Sequence, residues 1–308
     1  MRRLPVPSAS VTLLALGALT LAACGQASNS ASSTSAAPAS SSAAASETAS
    51  ASASASTDPC SKESLATLSA GTLTVGTDTP AYPPYFVDDK PSNGQGFESA
   101  VAYAVADSLG FAQGDVTWVV VPFDKSFAPG AKDFDFDINQ VSITDDRKKA
   151  VDLSEGYYTV NQAVVAIKGG KGAGATTIAD LQGLKLGAQV GTTSLDYVTN
   201  VVKPTEKPFV FNSTNDAKSA LNNKQIDAIV VDLPTAFYIS AVEIEDSIIV
   251  GQFKASESGG EQFGLVLAKG SPLTECVNQA IASLKSSGEL QKIQDKWLSE
   301  DTEAPYFS

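Results

Sequence analysis

Histidine is absent from all 308 residues of this chain. With no imidazole, the Ser–His and Cys–His nucleophile arrangements and most zinc sites are excluded together. Carboxylates alone can still serve an enzyme, so the absence weakens a catalytic reading without removing it. Basic side chains are scarce as well, 21 Lys and Arg against 34 Asp and Glu. From residue 58 onward, once Arg2, Arg3 and Glu47 are left out, 19 basic groups face 33 acidic ones, a balance of −14. That surface argues against nucleic acid as a partner, which requires clustered positive charge. Beyond the N-terminus no apolar run approaches membrane-spanning length, so a transmembrane receptor is not expected. Asp133, Asp135 and Asp137 alternate with Phe134, Phe136 and Ile138 and share one strand face. They lack the spacing of an EF-hand loop, and no metal or cofactor is expected. Asp137 either adds extra negative charge near a binding cleft or is simply solvated.

The N-terminus has the layout of an export signal. Arg2 and Arg3 precede an apolar stretch, Val11 to Leu21, too short to span a bilayer comfortably. The segment LAAC, residues 21–24, resembles the bacterial lipobox, whose cleavage leaves the cysteine as a diacylated N-terminus. The plainer alternative is a free thiol in an ordinary signal peptide. Two acyl chains anchor a protein stably where one does not. Residues 1–24 are therefore expected to be a lipoprotein signal peptide, with Cys24 fixing the mature protein to the outer face of the cytoplasmic membrane. From Ala27 to Thr57, 25 of 31 residues are Ala or Ser, with one charge at Glu47. Such a segment has nothing to bury and is expected to remain a disordered tether, residues 25–57, spanning roughly 30 Å. With Cys24 set aside, two of the three cysteines remain, Cys60 and Cys276. An even number in an oxidising compartment predicts a disulfide, and two buried free thiols are the alternative.

The folded part, Asp58 to Ser308, alternates strand and helix patterns. Strands are expected at LTVGTD (73–78), VTWVVVPF (116–123), FDIN (136–139), QAVVAI (162–167), LKLGAQ, PFVFN, DAIVVD (227–232), IIVGQF and FGLVLAKG. Phe97, Val101, Val105 and Leu109 recur at helical spacing, and Gly110 supplies a stop. Gly288 punctuates two closing helices. GGKGAGA, residues 169–175, lacks the Gly-Lys-Ser/Thr ending of a phosphate loop and reads as a plain loop. The alternation implies an α/β fold with largely parallel sheets, in which ligands sit at the carboxyl ends of strands. Asp78 to Tyr85, Gln140 to Arg147 and Asp232 all follow strands in this way. Gly191 to Ser194 opens a helix that offers backbone N–H groups to an anion.

Seven segments in order, GTDTPAYPPYF, GFESAVAYAVADSLGF, VSITDDRKKAVDLSEGYY, DLQGLKLGAQVGTT, DAIVVDLPTA, FGLVLAKGSPL and GELQKIQDKWL, resemble the extracellular solute-binding proteins of polar amino-acid ABC importers. The likeness covers residues 65–298. It implies two Rossmann-like lobes joined by two hinge strands, the type II periplasmic-binding fold. Lobe 1 would be 58–159 plus 254–308 and lobe 2 would be 160–253. Carried over by position, Arg147 is the clamp on a ligand's α-carboxylate. Guanidinium suits that role as a two-pronged, charge-assisted donor. Ser142 and Gln140 fall where the family contacts the ligand backbone, although Asn139 and Gln140 replace common small hydroxyl residues. Thr192 and Thr193 match a second carboxylate donor at a helix start, and simple capping is compatible with that role. Asp232 matches the acid that takes the α-ammonium; Tyr82 and Phe123 match positions that sandwich the side chain. Asp78 either touches the ligand's side chain, as in relatives preferring cationic or amide ligands, or caps its own turn.

The resemblance thus implies a lipid-anchored binding protein, not an enzyme, that closes on a polar amino acid and hands it to permease subunits. A monomer is the default expectation, since the sequence does not fix the oligomeric state. Two rivals share the fold. One is an enzyme such as a cyclohexadienyl dehydratase, for which Asp78, Asp137 or Glu98 would be the acid. The other is a sensory partner that presents ligand to a membrane kinase.

Overall fold

The computed structural model describes residues 58–254, 260–298 and 304–308. The signal peptide, the lipidation expected at Cys24 and the tether 25–57 lie outside the described residues. No helix among the described residues is long and apolar enough to cross a membrane.

The first half of the fold contains β1 (Leu73–Thr77), α1 (Phe97–Ser108), β2 (Val116–Val120), α2 (Phe123–Ser126), β3 (Phe136–Asp137), α3 (Asp145–Ala150), β4 (Asp152–Leu153) and β5 (Tyr158–Val160). The chain then builds β6 (Gln162–Ile167), α4 (Ile178–Leu181), β7 (Leu186–Gln189), α5 (Thr193–Asp196), β8 (Phe209–Phe211), α6 (Thr214–Asn222), β9 (Ala228–Asp232), α7 (Leu233–Tyr238) and β10 (Ser247–Gln252). It returns through β11 (Glu261–Phe263) and β12 (Val266–Leu267) to α8 (Thr274–Ser286) and α9 (Glu289–Trp297).

Two five-stranded sheets result, in the orders β2-β1-β3-β12-β4 and β10-β6-β9-β7-β8. Each has a parallel core of three strands: β2, β1 and β3 in one, β8, β7 and β9 in the other. Each also takes antiparallel neighbours, β12 beside β3 and β6 beside β9. The sheets are therefore mixed rather than simply parallel, because strands that arrive from the other half run against the local direction. Between them β5 and β11 form a two-stranded antiparallel ribbon. The run FGLVLAKG, expected as one strand, is split. Phe263 pairs with Tyr158 in the ribbon, whereas Val266 pairs with Leu153 in the first sheet, with Gly264 at the change of partner.

Burial follows the sequence pattern. Phe97, Val101 and Val105 stack α1 onto the first sheet in one core with Val277, Ile281 and Leu290 from α8 and α9. In β6 the consecutive residues Ala163 to Ala166 are all buried, because successive side chains enter opposite faces and both faces are covered. Val164 and Ala166 join one core; Ala163 and Val165 join another with Ala217 and Leu221 of α6. Gly96, at φ 98°, is the position where the loop before α1 presses closest. A side chain there would collide with the backbone of Tyr85 and Phe86.

The last residues depart from the expected assignment of 254–308 to one lobe. Ala304 is packed in a second-sheet core and Phe307 lies against Phe253. The amide of Gln252 donates to the Pro305 carbonyl (2.8 Å) and the Phe307 amide to Gln252 (3.0 Å). Phe307, one residue before Ser308, finds its slot above Gly251, which has no side chain to block it.

Cys60 and Cys276 form the expected disulfide, joining the start of the fold to α8 across 216 residues. Closing so long a loop restricts the unfolded chain. Cys60→Ser with Cys276→Ser is expected to cost about 2–4 kcal/mol. Thermal unfolding of the oxidised protein and the double variant measures it, and equal midpoints would refute the contribution.

Candidate ligand-binding site

A cleft with about 770 Å³ of empty space, part of it open to solvent, lies between elements of the two sheets. All nine residues singled out from the sequence line it. Asp78, Tyr82, Phe123, Gln140, Ser142 and Arg147 come from the first side; Thr192, Thr193 and Asp232 come from the second.

Arg147, the only arginine after Arg3, is 8% exposed. It starts in α3, where the Thr144 hydroxyl accepts its backbone N–H. Its guanidinium donates through Nη1 to the Ser142 carbonyl (2.6 Å) and through Nη2 to the Gly191 carbonyl (2.9 Å). One side chain therefore touches backbone from both sides. Gly191, at φ 75°, turns the chain just before α5. The guanidinium plane also lies near the rings of Phe127 (4.4 Å) and Phe123 (5.6 Å). Burial pulls its pKa down, while Glu261, Asp196 and Asp232 oppose that by charge.

The two threonines divide their work. Thr192 caps α5, accepting the Leu195 N–H (3.2 Å) and donating to the Gln189 carbonyl (2.7 Å). Thr193 instead donates its hydroxyl to Glu261 of β11, as does Ser142 from the other side. The Ser142 and Thr193 hydroxyl oxygens are 3.3 Å apart. Gln162, at the start of β6, accepts the Ser194 hydroxyl at its Oε1 (2.7 Å). Its Nε2 donates to Asp232 (2.7 Å) and reaches toward Glu261 at 3.3 Å. Asp232 is half-buried with its open side on the cleft. Burial first, then the charge of Glu261, pushes its carboxyl up to about 8.

At the other end, Asp78 accepts the backbone N–H of Thr79 (2.7 Å) and of Phe123 (3.2 Å). It holds the loop after β1 to the start of α2 and still borders the cleft; burial raises its pKa. Tyr82 sits beneath Lys218, whose ammonium is 5.3 Å from the ring and paired with Glu243 (2.6 Å). Asn139 is 6% exposed, borders the cleft, and its Nδ2 has no hydrogen-bond partner among the described residues.

Several residues that shape the site were not singled out as site residues. Glu98, fully buried on α1, accepts the Gln140 N–H (2.7 Å), the Gln140 side-chain amide and the Tyr157 hydroxyl (2.5 Å). It thereby fixes Gln140 in a left-handed conformation, φ 49°, and draws its side-chain amide toward α1. Glu261, Gln162, Lys218 and Glu243 also escaped notice. The signal for Glu261 was an acid in the return segment just before FGLVLAKG. Asp137 is neither solvated nor part of the cleft lining. It is wholly buried, both oxygens lack hydrogen-bond partners among the described residues, and the nearby Ser126 hydroxyl donates instead to Phe123 (2.9 Å). Desolvation holds its carboxyl well above the usual range. Asp135 accepts the N–H groups of Leu68 and Thr74 at 2.8 and 2.7 Å, a structural role.

Residues 73–300 match the family described as bacterial extracellular solute-binding proteins, family 3, and the chain belongs to that family. It is 30% identical over 234 residues to the L-cystine-binding protein TcyJ of Escherichia coli, covering 75% of this chain and 84% of that protein. It is 29% identical over 254 residues to an L-arginine-binding protein of Pseudomonas aeruginosa, covering 77% and 92%. Among solved structures it is similar to an ancestral arginine-binding protein bound to arginine, with 33% identity and a TM-score of 0.63. That match covers 74% of this chain and 99% of the other. It is also similar to the ancestral amino acid-binding protein AncCDT-1, a precursor of cyclohexadienyl dehydratase, with 30% identity, a TM-score of 0.62, and coverage of 74% and 96%.

The buried Glu98 gives a pH signature. A glutamate ordinarily titrates near 4.5, and burial raises this one to about 7. Between those values the folded state holds the proton more tightly than the unfolded chain, so stability falls as pH rises through that window. The melting temperature of the wild type is expected to drop more steeply from pH 4.5 to 7 than that of Glu98→Gln. Parallel declines would remove Glu98 as a source.

Proposed function

We propose that this chain is the amino-acid-capturing subunit of an ABC importer, acting outside the cytoplasm on a ligand with a cationic or amide side chain. The observation that carries the proposal is Arg147, a guanidinium buried at the seam, with Asp232 facing the same cleft. A zwitterion needs one forked cation for its carboxylate and one anion for its ammonium, both withdrawn from water. In this reading Arg147, Ser142 and Thr193 take the carboxylate and Asp232 takes the ammonium. Phe123 and Tyr82 flank the side chain, whose polar end meets Asp78. The relatives named for cystine and arginine make small amino acids of this kind the natural panel.

Function follows from geometry. The ligand's carboxylate is shared between groups from both sheets, so only the closed arrangement makes every contact. A ligand shifts a conformational equilibrium by its differential affinity for the two states. Lobes of 58–159 plus 254–298 and of 160–253, hinged on the β5–β11 ribbon, then close over it. Micromolar binding corresponds to about −8 kcal/mol. A few charge-assisted hydrogen bonds, at about 1.5–3 kcal/mol each, reach that together with aromatic burial, net of ordering. The closed protein presents itself to permease subunits, with Cys24 as its lipid anchor.

The geometry favours binding over catalysis. Of the acids available to a dehydratase on this fold, Glu98 is committed to Gln140 and Tyr157, Asp137 is sealed in the core, and Asp78 accepts two backbone N–H groups.

A thermal-shift panel of amino acids on the protein, stripped of co-purified ligand, is expected to register a cationic or amide member. Arg147→Ala is expected to weaken that ligand at least about tenfold, read by calorimetry. Unchanged affinity would end the clamp assignment. Prephenate and arogenate are expected to remain unconverted. Cys24→Ala is expected to move the protein from the membrane fraction into the soluble fraction.

A further inference from the structure

Beside Asp232, one hydrogen bond behind the cleft-lining hydroxyls of Ser142 and Thr193, stands a second carboxylate. Asp232 ends β9, Glu261 opens β11, and both lie against the single side-chain amide of Gln162, at 2.7 and 3.3 Å. The remaining donors on Glu261 are the Ser142 and Thr193 hydroxyls, both neutral. Each has one proton, which in the reading above turns to the ligand's carboxylate and leaves Glu261 open. The nearby cation, Arg147, spends two of its N–H groups on the carbonyls of Ser142 and Gly191. Two like charges held this close in a partly desolvated space need a proton or a cation between them. The other charged or titratable groups bearing on Asp232 are Arg147, Glu98, Tyr85 and Tyr158. Only the first is positive.

We propose that Glu261 joins Asp232 as a second carboxylate on the ligand's α-ammonium, with Gln162 spacing the two acids to receive it. The proposal rests on the amino-acid reading of the same cleft and adds a specificity residue to it. An ammonium has three N–H donors, enough for both acids with one to spare. Its charge removes the repulsion that otherwise keeps a proton on Asp232. Binding therefore releases that proton to solvent, and the carboxyl raised to about 8 assigns it to Asp232 before the ligand arrives. Below that value each ligand displaces a proton. Affinity then rises with pH up to about 8, by no more than about tenfold per unit. The pair also sets a filter: a molecule with the right side chain and carboxylate but no amine leaves two acids facing each other.

The test uses two probe pairs differing only in the α-ammonium, L-arginine with 5-guanidinopentanoate and L-glutamine with glutaramate. Titration calorimetry at pH 6.5 in phosphate and in Tris counts protons from the difference in observed enthalpy. The wild type is expected to release nearly one proton per amino acid bound, and Glu261→Gln fewer. Glu261→Gln is expected to weaken the amino acid about tenfold or more and its deaminated partner less than twofold. No proton release by the wild type overturns the proposal without needing any variant to fold. So does a Glu261→Gln protein that binds the amino acid as tightly as, or more tightly than, the wild type, the mark of an acid competing with the ligand's carboxylate. Equal loss of both members of a pair overturns it too, as the mark of a merely structural residue. If neither amino acid binds the wild type, the proposed ligand class falls together with this inference; binding without the predicted split defeats this inference alone.

Discussion

Arg147 has given up most of its water, and the structure around it is organised by how that loss is compensated. A guanidinium cannot discharge itself by losing a proton under ordinary conditions, so a buried one must be surrounded by acceptors. Two backbone carbonyls supply part of that shell, one after β3 and one before α5. Because these come from opposite sides of the cleft, satisfying one side chain already registers the two sheets against each other. Aromatic faces at Phe123 and Phe127 complete the surroundings without competing for the N–H groups.

The acids show how differently one functional group behaves in neighbouring settings. Asp135 accepts two backbone N–H groups and pins strands. Asp137, two residues on, has no hydrogen-bond partner among the described residues, and burial pushes its carboxyl well above the usual range. Glu98 sits between these extremes, with three donors offsetting part of its desolvation. Only Asp78, Asp232 and the paired Glu243 border the cleft, so a net charge of −13 for the whole chain says little about what the cleft prefers.

Much of this was legible in one dimension, and the limits are physical. The run QAVVAI coincides with β6 because a strand buried on both faces must be apolar throughout. Phe97, Val101 and Val105 announced α1 by their spacing. Arg147, Asp232 and the threonines were readable because each lies at or near the start or end of an element and within a segment that resembles the family. Glu261 was not. Its partners are 119 and 68 residues away, and the fold that gathers them leaves no trace in local spacing. FGLVLAKG reads as one strand because apolar alternation does not record a change of neighbour at Gly264. The docking of Phe307 was hidden for the same reason, since its slot is created by the absence of a side chain at Gly251.

Under the anchorage proposed at Cys24, the bond between Cys60 and Cys276 has a mechanical meaning. Any tug arriving along the N-terminal segment reaches Cys60 first and is shunted covalently into α8, a thirteen-residue helix wedged in the main hydrophobic core. β1, which begins at Leu73, feels that force only after the cross-link has carried it past. On that proposal, a leash that ends on a rivet spares the sheets it suspends the strain.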